Sequence, residues 1–264
     1  MFRWREQVPA TPEGVGRPEN YGVDWAVTDR FDGASTGIHA AFNLGAGVDD
    51  LPEVVSRNRA ILAAEFGVES GSLCFMRQEH GTHVHVVGAA GGGHQDAVDL
   101  DGAAACDGIV TNDPDVALAV LVADCTPVLL FDRRAGWVGA VHAGRVGMTE
   151  GVVLAAVQTL RQRGADDLQA LVGPSICARC YEVPLDMRTR IAARHPAAHA
   201  VSWSGTPAID VAGAVVDQLN SERVPVHWLP GCTRESPDLY SHRGYTHGND
   251  PHTGRFAAVV RLRT

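Results

Sequence analysis

Three apolar runs in this chain end on a group able to bind a metal or act as a nucleophile. They are His80 in "CFMRQEHG", Cys125 in "VALAVLVADCTPVLLF" and His142 in "GWVGAVHAG". Two imidazoles and one thiolate form a donor set that tetrahedral zinc accepts, with a fourth position open to water or substrate. The same thiol beside an imidazole base is also the nucleophile of acyl chemistry. One such residue alone carries neither reading, because a cysteine in apolar surroundings packs as a small hydrophobe and any turn accommodates an imidazole. Asp124, next to Cys125, weakens the packing reading, since a buried carboxylate needs partners. It is a candidate catalytic proton shuttle or, equally, a group that orients the turn. The spacing is too wide for a zinc finger, so only a fold that joins three strand ends brings the set together.

Other motifs compete less well. "CARC", Cys177 to Cys180, has the C-x-x-C spacing of redox and zinc-ribbon sites but no second C-x-x-C to complete it. "HVH" is expected to project His83 and His85 from one face of a strand, where they could bind metal as a pair, although satisfaction by solvent or local partners is the stronger expectation. The phosphate cradle G-x-x-x-x-G-K-[ST], the dinucleotide fingerprint and the G-x-S-x-G elbow are all absent from the sequence.

The elements that must position the triad follow from hydrophobic pattern. Pro127 lacks an amide hydrogen, so "DCTP" marks the end of one strand and the start of the next. "YGVDWAVTDR", "DGIVTN", "VALAVLVAD", "PVLLFD", "GWVGAVHAG", "LQALVGP", "PVHWLP" and "RFAAVVRL" read as strands, and "SLCFMRQEHGTHVHVVG" as two strands broken near Gly81. A helix is expected over "LPEVVSRNRAILAAEFG", with Pro52 in its first turn and Gly67 as its stop. Another is expected over "MTEGVVLAAVQTLRQRG", capped by Thr149 and stopped by Gly164, and two more over "VPLDMRTRIAARH" and "DVAGAVVDQLNSE". "GAAGGGHQD", residues 88 to 96, reads as a loop. The interleaving implies an α/β (α+β) sandwich in which helices cover a mixed sheet. With 264 residues, 45% of them hydrophobic, and no linker, the expectation is one domain over 1–264, with 1–20 an irregular N-terminal segment.

The net charge of −9 argues against a nucleic-acid footprint. Neither a signal peptide nor a membrane span is expected, and six thinly spread cysteines fit a reduced, cytoplasmic protein more than a disulfide framework.

In order along the chain, "RQEHGTHVHVV", "CDGIVTNDPDVALAVLVADCTPVLLFD", "VGAVHAGRVG", "GPSICARCYEV" and "LYSHRG…TGRFAAVV" resemble the purine nucleoside phosphorylase family, formerly called multicopper polyphenol oxidases or laccase-domain proteins. The resemblance implies a three-layer α-β-α sandwich related to cysteine-hydrolase toxins. It implies zinc held by His80, Cys125 and His142, matching the set read from strand ends. It also implies cleavage of adenosine, inosine, guanosine or methylthioadenosine with phosphate, and adenosine deaminase activity. Asn43 and Arg59 fall where the family places polar groups in its cleft, and Arg243 in "YSHRG" is a further candidate anion binder. Where the family commonly has "HAGWRG" this chain has "HAGRVG", so Arg145 stands in the tryptophan position and Val146 in the arginine position. Arg145 is therefore a candidate replacement for the family's arginine. The expected partners are nucleoside and phosphate, with no nucleic acid and no membrane. Two alternatives stay open on sequence: a metal-free cysteine hydrolase with Cys125 as nucleophile and a histidine base, and a copper-dependent polyphenol oxidase.

Overall fold

The computed structural model describes residues 1–11, 20–88, 105–245 and 253–264. Its strands are β1 (Phe2–Val8), β2 (Gly22–Thr28), β3 (Leu73–Cys74), β4 (Val84–Val86), β5 (Gly108–Thr111), β6 (Ala117–Val122), β7 (Thr126–Asp132), β8 (Trp137–Ala143), β9 (Gln169–Val172), β10 (His199–Val201), β11 (Pro207–Ile209), β12 (Val226–Trp228) and β13 (Phe256–Arg263). Its helices are α1 (Pro52–Phe66), α2 (Arg145–Glu150), α3 (Val152–Arg161), α4 (Leu185–Arg194), α5 (Val211–Ser221) and α6 (His242–Tyr245). All but Gly88 of the glycine-rich loop lies outside the described residues. Among the described residues no helix is long and apolar enough to cross a membrane.

Two mixed sheets carry the fold, ordered β1-β2-β13-β6-β3 and β12-β9-β7-β8-β5-β4, beside a small β10-β11 pair. Strand β6 shows why its sequence is apolar throughout. Side chains alternate across a strand, so Leu118, Val120 and Val122 enter the core between the sheets while Ala117, Ala119 and Leu121 face α1. On the facing sheet, β7 sends Leu129 into that shared core, and Val128 and Leu130 toward α3 and α5. Small residues under α1 (Ala26, Ala119 and Ala257) let Leu62 and Phe66 seat closely. On the other side Val153, Val157, Val215 and Leu219 cover the six-stranded sheet.

The mixed α/β class and the outer helices thus match the sequence reading, but two sheets lie between the helices where the three-layer expectation has one. A strand buried on both faces has the same pattern whether a helix or another sheet covers it. Two local corrections follow. Phe2–Val8, expected to be irregular, is an edge strand paired antiparallel with β2, its residues half-buried or exposed. Thr149 is not an N-cap: it sits in α2, with its hydroxyl donating to Arg145 O at 2.8 Å, and Gly151 at φ 93° separates α2 from α3. Helix α1 begins at Pro52 and ends on Gly67 at φ 78°, as its sequence implies.

Candidate functional site

The interrupted run "VALAVLVADCTPVLLF" is where the chain crosses from one sheet to the other. Strand β6 ends at Val122 in the five-stranded sheet and β7 begins at Thr126 in the six-stranded one. The turn places Asp124 at φ 89°, a conformation that costs a non-glycine residue about 1 kcal/mol or more. Its carboxylate is held from three sides: Thr233 Oγ1 donates at 2.5 Å, Ser241 Oγ at 2.7 Å and the Arg243 amide at 2.5 Å. That occupancy suits a group that fixes the turn. Cys125 emerges beside β8, where Thr126 pairs with Ala143 and Pro127 with His142.

His80 follows β3 and also lies in the left-handed region, at φ 61°. One buried group, Asp107, organises it. The Asp107 carboxylate accepts the backbone amides of Glu79 (3.2 Å), His80 (2.9 Å) and Gly81 (2.6 Å), an anion nest built from one turn. It also bonds His142 Nδ1 at 2.7 Å, which leaves the other imidazole nitrogen of His142 for the cluster. Sequence reasoning missed Asp107. Its signal is a carboxylate opening the buried run "DGIVT".

The two turns and the end of β8, which carries His142, converge. Donor atoms of His80, Cys125 and His142 all lie within 4.8 Å of one another, and His80 Nε2 is 3.7 Å from Cys125 Sγ. Tetrahedral zinc, with Zn–N near 2.0–2.1 Å and Zn–S near 2.3 Å, sets neighbouring donors roughly 3.5 Å apart, so the residues fit the ion. Burial opposes ionisation of the Cys125 thiol, but the His142 charge and hydrogen bonds from both histidines outweigh it and draw the thiol down to about 6. For His142, burial works against the cation, while the Cys125 thiolate and the Asp107 hydrogen bond lift it to about 9. Without metal both shifts favour a thiolate beside an imidazolium.

Gly144 caps the arrangement. Its φ of −73° suits any residue, but a Cβ there would lie 2.6 Å from His80 Cδ2 and 3.1 Å from Cys125 Sγ. Gly144→Ala is therefore expected to lower metal affinity about 10- to 100-fold in a chelator competition. The melting curve of the metal-free protein should stay near that of the parent.

Two cavities meet at the cluster, sharing His80, Ala123, Cys125 and His242. The larger, ≈700 Å³, is walled by Arg59, Phe75, Gln78, His142 and Arg255. The smaller, ≈450 Å³, is walled by Arg145, Val146, Ile176, Tyr181, Val211 and Arg243, with Asp124 at its base. Arg59 donates Nε to Leu44 O at 3.0 Å and lies 3.9 Å over the Phe75 ring. Burial pulls its guanidinium down to about 10, so it stays charged at neutral pH. Arg255, which sequence reasoning missed, donates Nη1 to Thr253 O and Gly254 O, and burial lowers it too. Among the described residues neither Arg59 nor Arg255 has a carboxylate ion-pair partner.

Asn43, expected among substrate contacts, is fully buried away from both cavities. Its amide donates to Gly45 O and Asp50, and its carbonyl accepts from the Gly45 and Arg255 amides. It is thus spent on holding the loop and Arg255. Gln78 is likewise structural, clamping Leu121 through both backbone groups. His83 bonds Ala105 O at 2.9 Å and, among the described residues, joins no metal cluster.

Residues 24–263 match the family described as multi-copper polyphenol oxidoreductase laccase. A Streptomyces coelicolor protein named purine nucleoside phosphorylase is 43% identical over 91% of this chain and 96% of its own. A Mycobacterium bovis protein of the same name is 40% identical over 88% and 89%. Among solved structures, a Neisseria meningitidis protein superposes with TM-score 0.78 at 28% identity, covering 98% of this chain and 99% of its own. One from Geobacillus stearothermophilus reaches 0.81 at 25%, covering 97% and 100%.

Proposed function

Because the chain belongs to the multi-copper polyphenol oxidoreductase laccase family, whose relatives here carry the name purine nucleoside phosphorylase, we propose that it cleaves purine nucleosides with inorganic phosphate. Adenosine, inosine, guanosine and methylthioadenosine are its substrate class, and adenosine deamination is a second reaction of the same centre. The carrying observation is the pair Arg59 and Arg255, two half-buried guanidiniums without a carboxylate ion pair among the described residues, on the wall that also bears the His80, Cys125 and His142 donors. A half-buried guanidinium with no carboxylate in direct contact favours an anionic ligand, and its planar fork matches phosphate.

His80, Cys125 and His142 would hold zinc, which when bound supplies Lewis acidity and a water acidified toward pKa ~7. The protein's own groups set the geometry. Asp107 fixes the His142 tautomer and the His80 turn, while Asp124 fixes the Cys125 turn. Arg59 and Arg255 hold phosphate so that one oxygen faces C1′ of the ribose. As the C1′–N9 bond breaks, the purine leaves with its electron pair and gains the proton that phosphate gives up; ribose 1-phosphate is the other product. The purine occupies the smaller cavity against Val146, Ile176, Tyr181 and Val211, and Arg145 and Arg243 donate to the hydroxyls of the attached ribose.

Arg59→Ala tests this directly. Loss of a charged hydrogen-bond donor is expected to raise the KM for phosphate by about 10- to 100-fold, the equivalent of ~1.5–3 kcal/mol, while inosine formation from adenosine stays near the parent rate. Equal loss of both reactions would place Arg59 outside a phosphate site.

A second reading has one specific observation in its favour: Cys125, His142 and Asp107 form the thiol, imidazole and carboxylate series of a nucleophilic cysteine enzyme. It requires activity that survives chelation and is lost to a thiol alkylator.

A further inference from the structure

Away from the cluster described above, Cys177, Cys180, Cys232 and Glu235 bring three thiols and a carboxylate within 4.8 Å of one another. All three cysteines are free thiols, and Cys180 and Cys232 are buried. We propose that these four residues form a second, structural metal site that takes a zinc-class divalent cation in a closed S₃O set.

The local geometry is that of a ligand knuckle. In the C-x-x-C turn, the Cys180 and Tyr181 amides return to Cys177 O at 3.0 and 3.1 Å, which folds both thiols to one side. The Cys177 amide donates to Cys232 Sγ at 3.3 Å, a contact that stabilises a thiolate. Glu235 Oε1 lies 3.3 Å from Cys180 Sγ and accepts Trp203 Nε1 at 3.0 Å, so the fourth ligand has an outer partner that fixes its orientation. Three sulfurs and a carboxylate oxygen this close form a donor set that a divalent cation completes when it displaces the thiol protons. Soft thiolate donors with one oxygen select zinc over calcium or magnesium.

The position of the set supplies its purpose. Cys177 and Cys180 follow β9, and Cys232 and Glu235 follow β12. Ser175 bridges to Cys232 between these two segments, and the Thr233 amide donates to Ser175 O at 3.1 Å. The first segment places Ile176 and Tyr181 on the smaller cavity, and the second supplies Thr233 to the Asp124 carboxylate. A metal tying the segments together therefore braces the turn that presents Cys125, without touching substrate.

The test uses the full chain carrying His80→Ala and Cys125→Ser, which strips the first site of two ligands and leaves His142 alone. Elemental analysis of this double variant should find about one zinc per chain, and growth on cobalt should give the intense visible bands and near-ultraviolet thiolate charge transfer of a tetrahedral site. Adding Cys180→Ser should remove the metal. Should that triple variant fail to fold, Glu235→Gln in its place keeps size and loses charge, and chelator competition should show affinity weakened about 10- to 100-fold. A folded double variant without metal, or a disulfide among Cys177, Cys180 and Cys232 seen by intact mass without reductant, would overturn the proposal. None of these readouts depends on the phosphorylase reaction.

Discussion

Alanine in place of Asp107 is expected to destabilise the protein by about 3–5 kcal/mol and to abolish turnover, the largest stability effect of any site residue. Asp107 is about 1% exposed, and its two oxygens serve three backbone amides and the His142 ring. Removing it leaves all four donors buried or half-buried without an acceptor, and the left-handed His80 turn loses the group that holds it. Urea denaturation of metal-free parent and variant measures the first effect, and elemental analysis with kinetics the second. A variant as stable as the parent would mean that water replaces the carboxylate. The group's own titration has a definite sign. Burial opposes its charge, but His142 and the backbone amides outweigh that and hold it below the ordinary carboxylate value. Its contribution is complete above that ordinary value and fades as the pH falls through the lowered one.

Cys125→Ser is expected to behave in the opposite way, with a large loss of function and a small change in fold. Changing an outer partner of a metal ligand already costs about 10- to 100-fold, so losing the ligand itself should cost at least 100-fold in kcat/KM. A serine hydroxyl stays protonated at pH 7, where the Cys125 thiol, drawn down to about 6, is mostly thiolate. Cys125 lies on the crossing turn and is only partly buried, and the turn itself is held by Asp124. The melting temperature of the metal-free protein should therefore move little. Bound metal in the first site should fall with activity, and elemental analysis also identifies the ion as zinc or copper. Full metal retention there with loss of turnover would take Cys125 out of the ligand set and favour its role as a nucleophile.

Much of this site is legible in the sequence because chemistry interrupts apolar runs. His80, Cys125 and His142 stand out at strand ends, and the fold brings these three together. What stays hidden is whatever depends on tertiary proximity. Arg255 reads as an ordinary charge at the head of an apolar strand until β13 lies beside the Arg59 wall. Asn43 looks like a cleft residue, yet its amide is consumed by backbone neighbours, which nothing in its local sequence reveals. "CARC" looks incomplete because its remaining partners, Cys232 and Glu235, come from the far side of α4 and α5 in the chain. The second sheet is hidden for a simpler reason: alternating burial on both faces of β6 leaves no mark of what covers either one.

The most direct measurement of the central claim is chromatography of the products formed from inosine, with and without inorganic phosphate, by protein whose metal content is known. Hypoxanthine and ribose 1-phosphate should appear together in equal amounts, and both should vanish when phosphate is withheld or the metal is chelated. Hypoxanthine released with free ribose at the same rate in the absence of phosphate would make the protein a hydrolase and contradict the role given to Arg59 and Arg255.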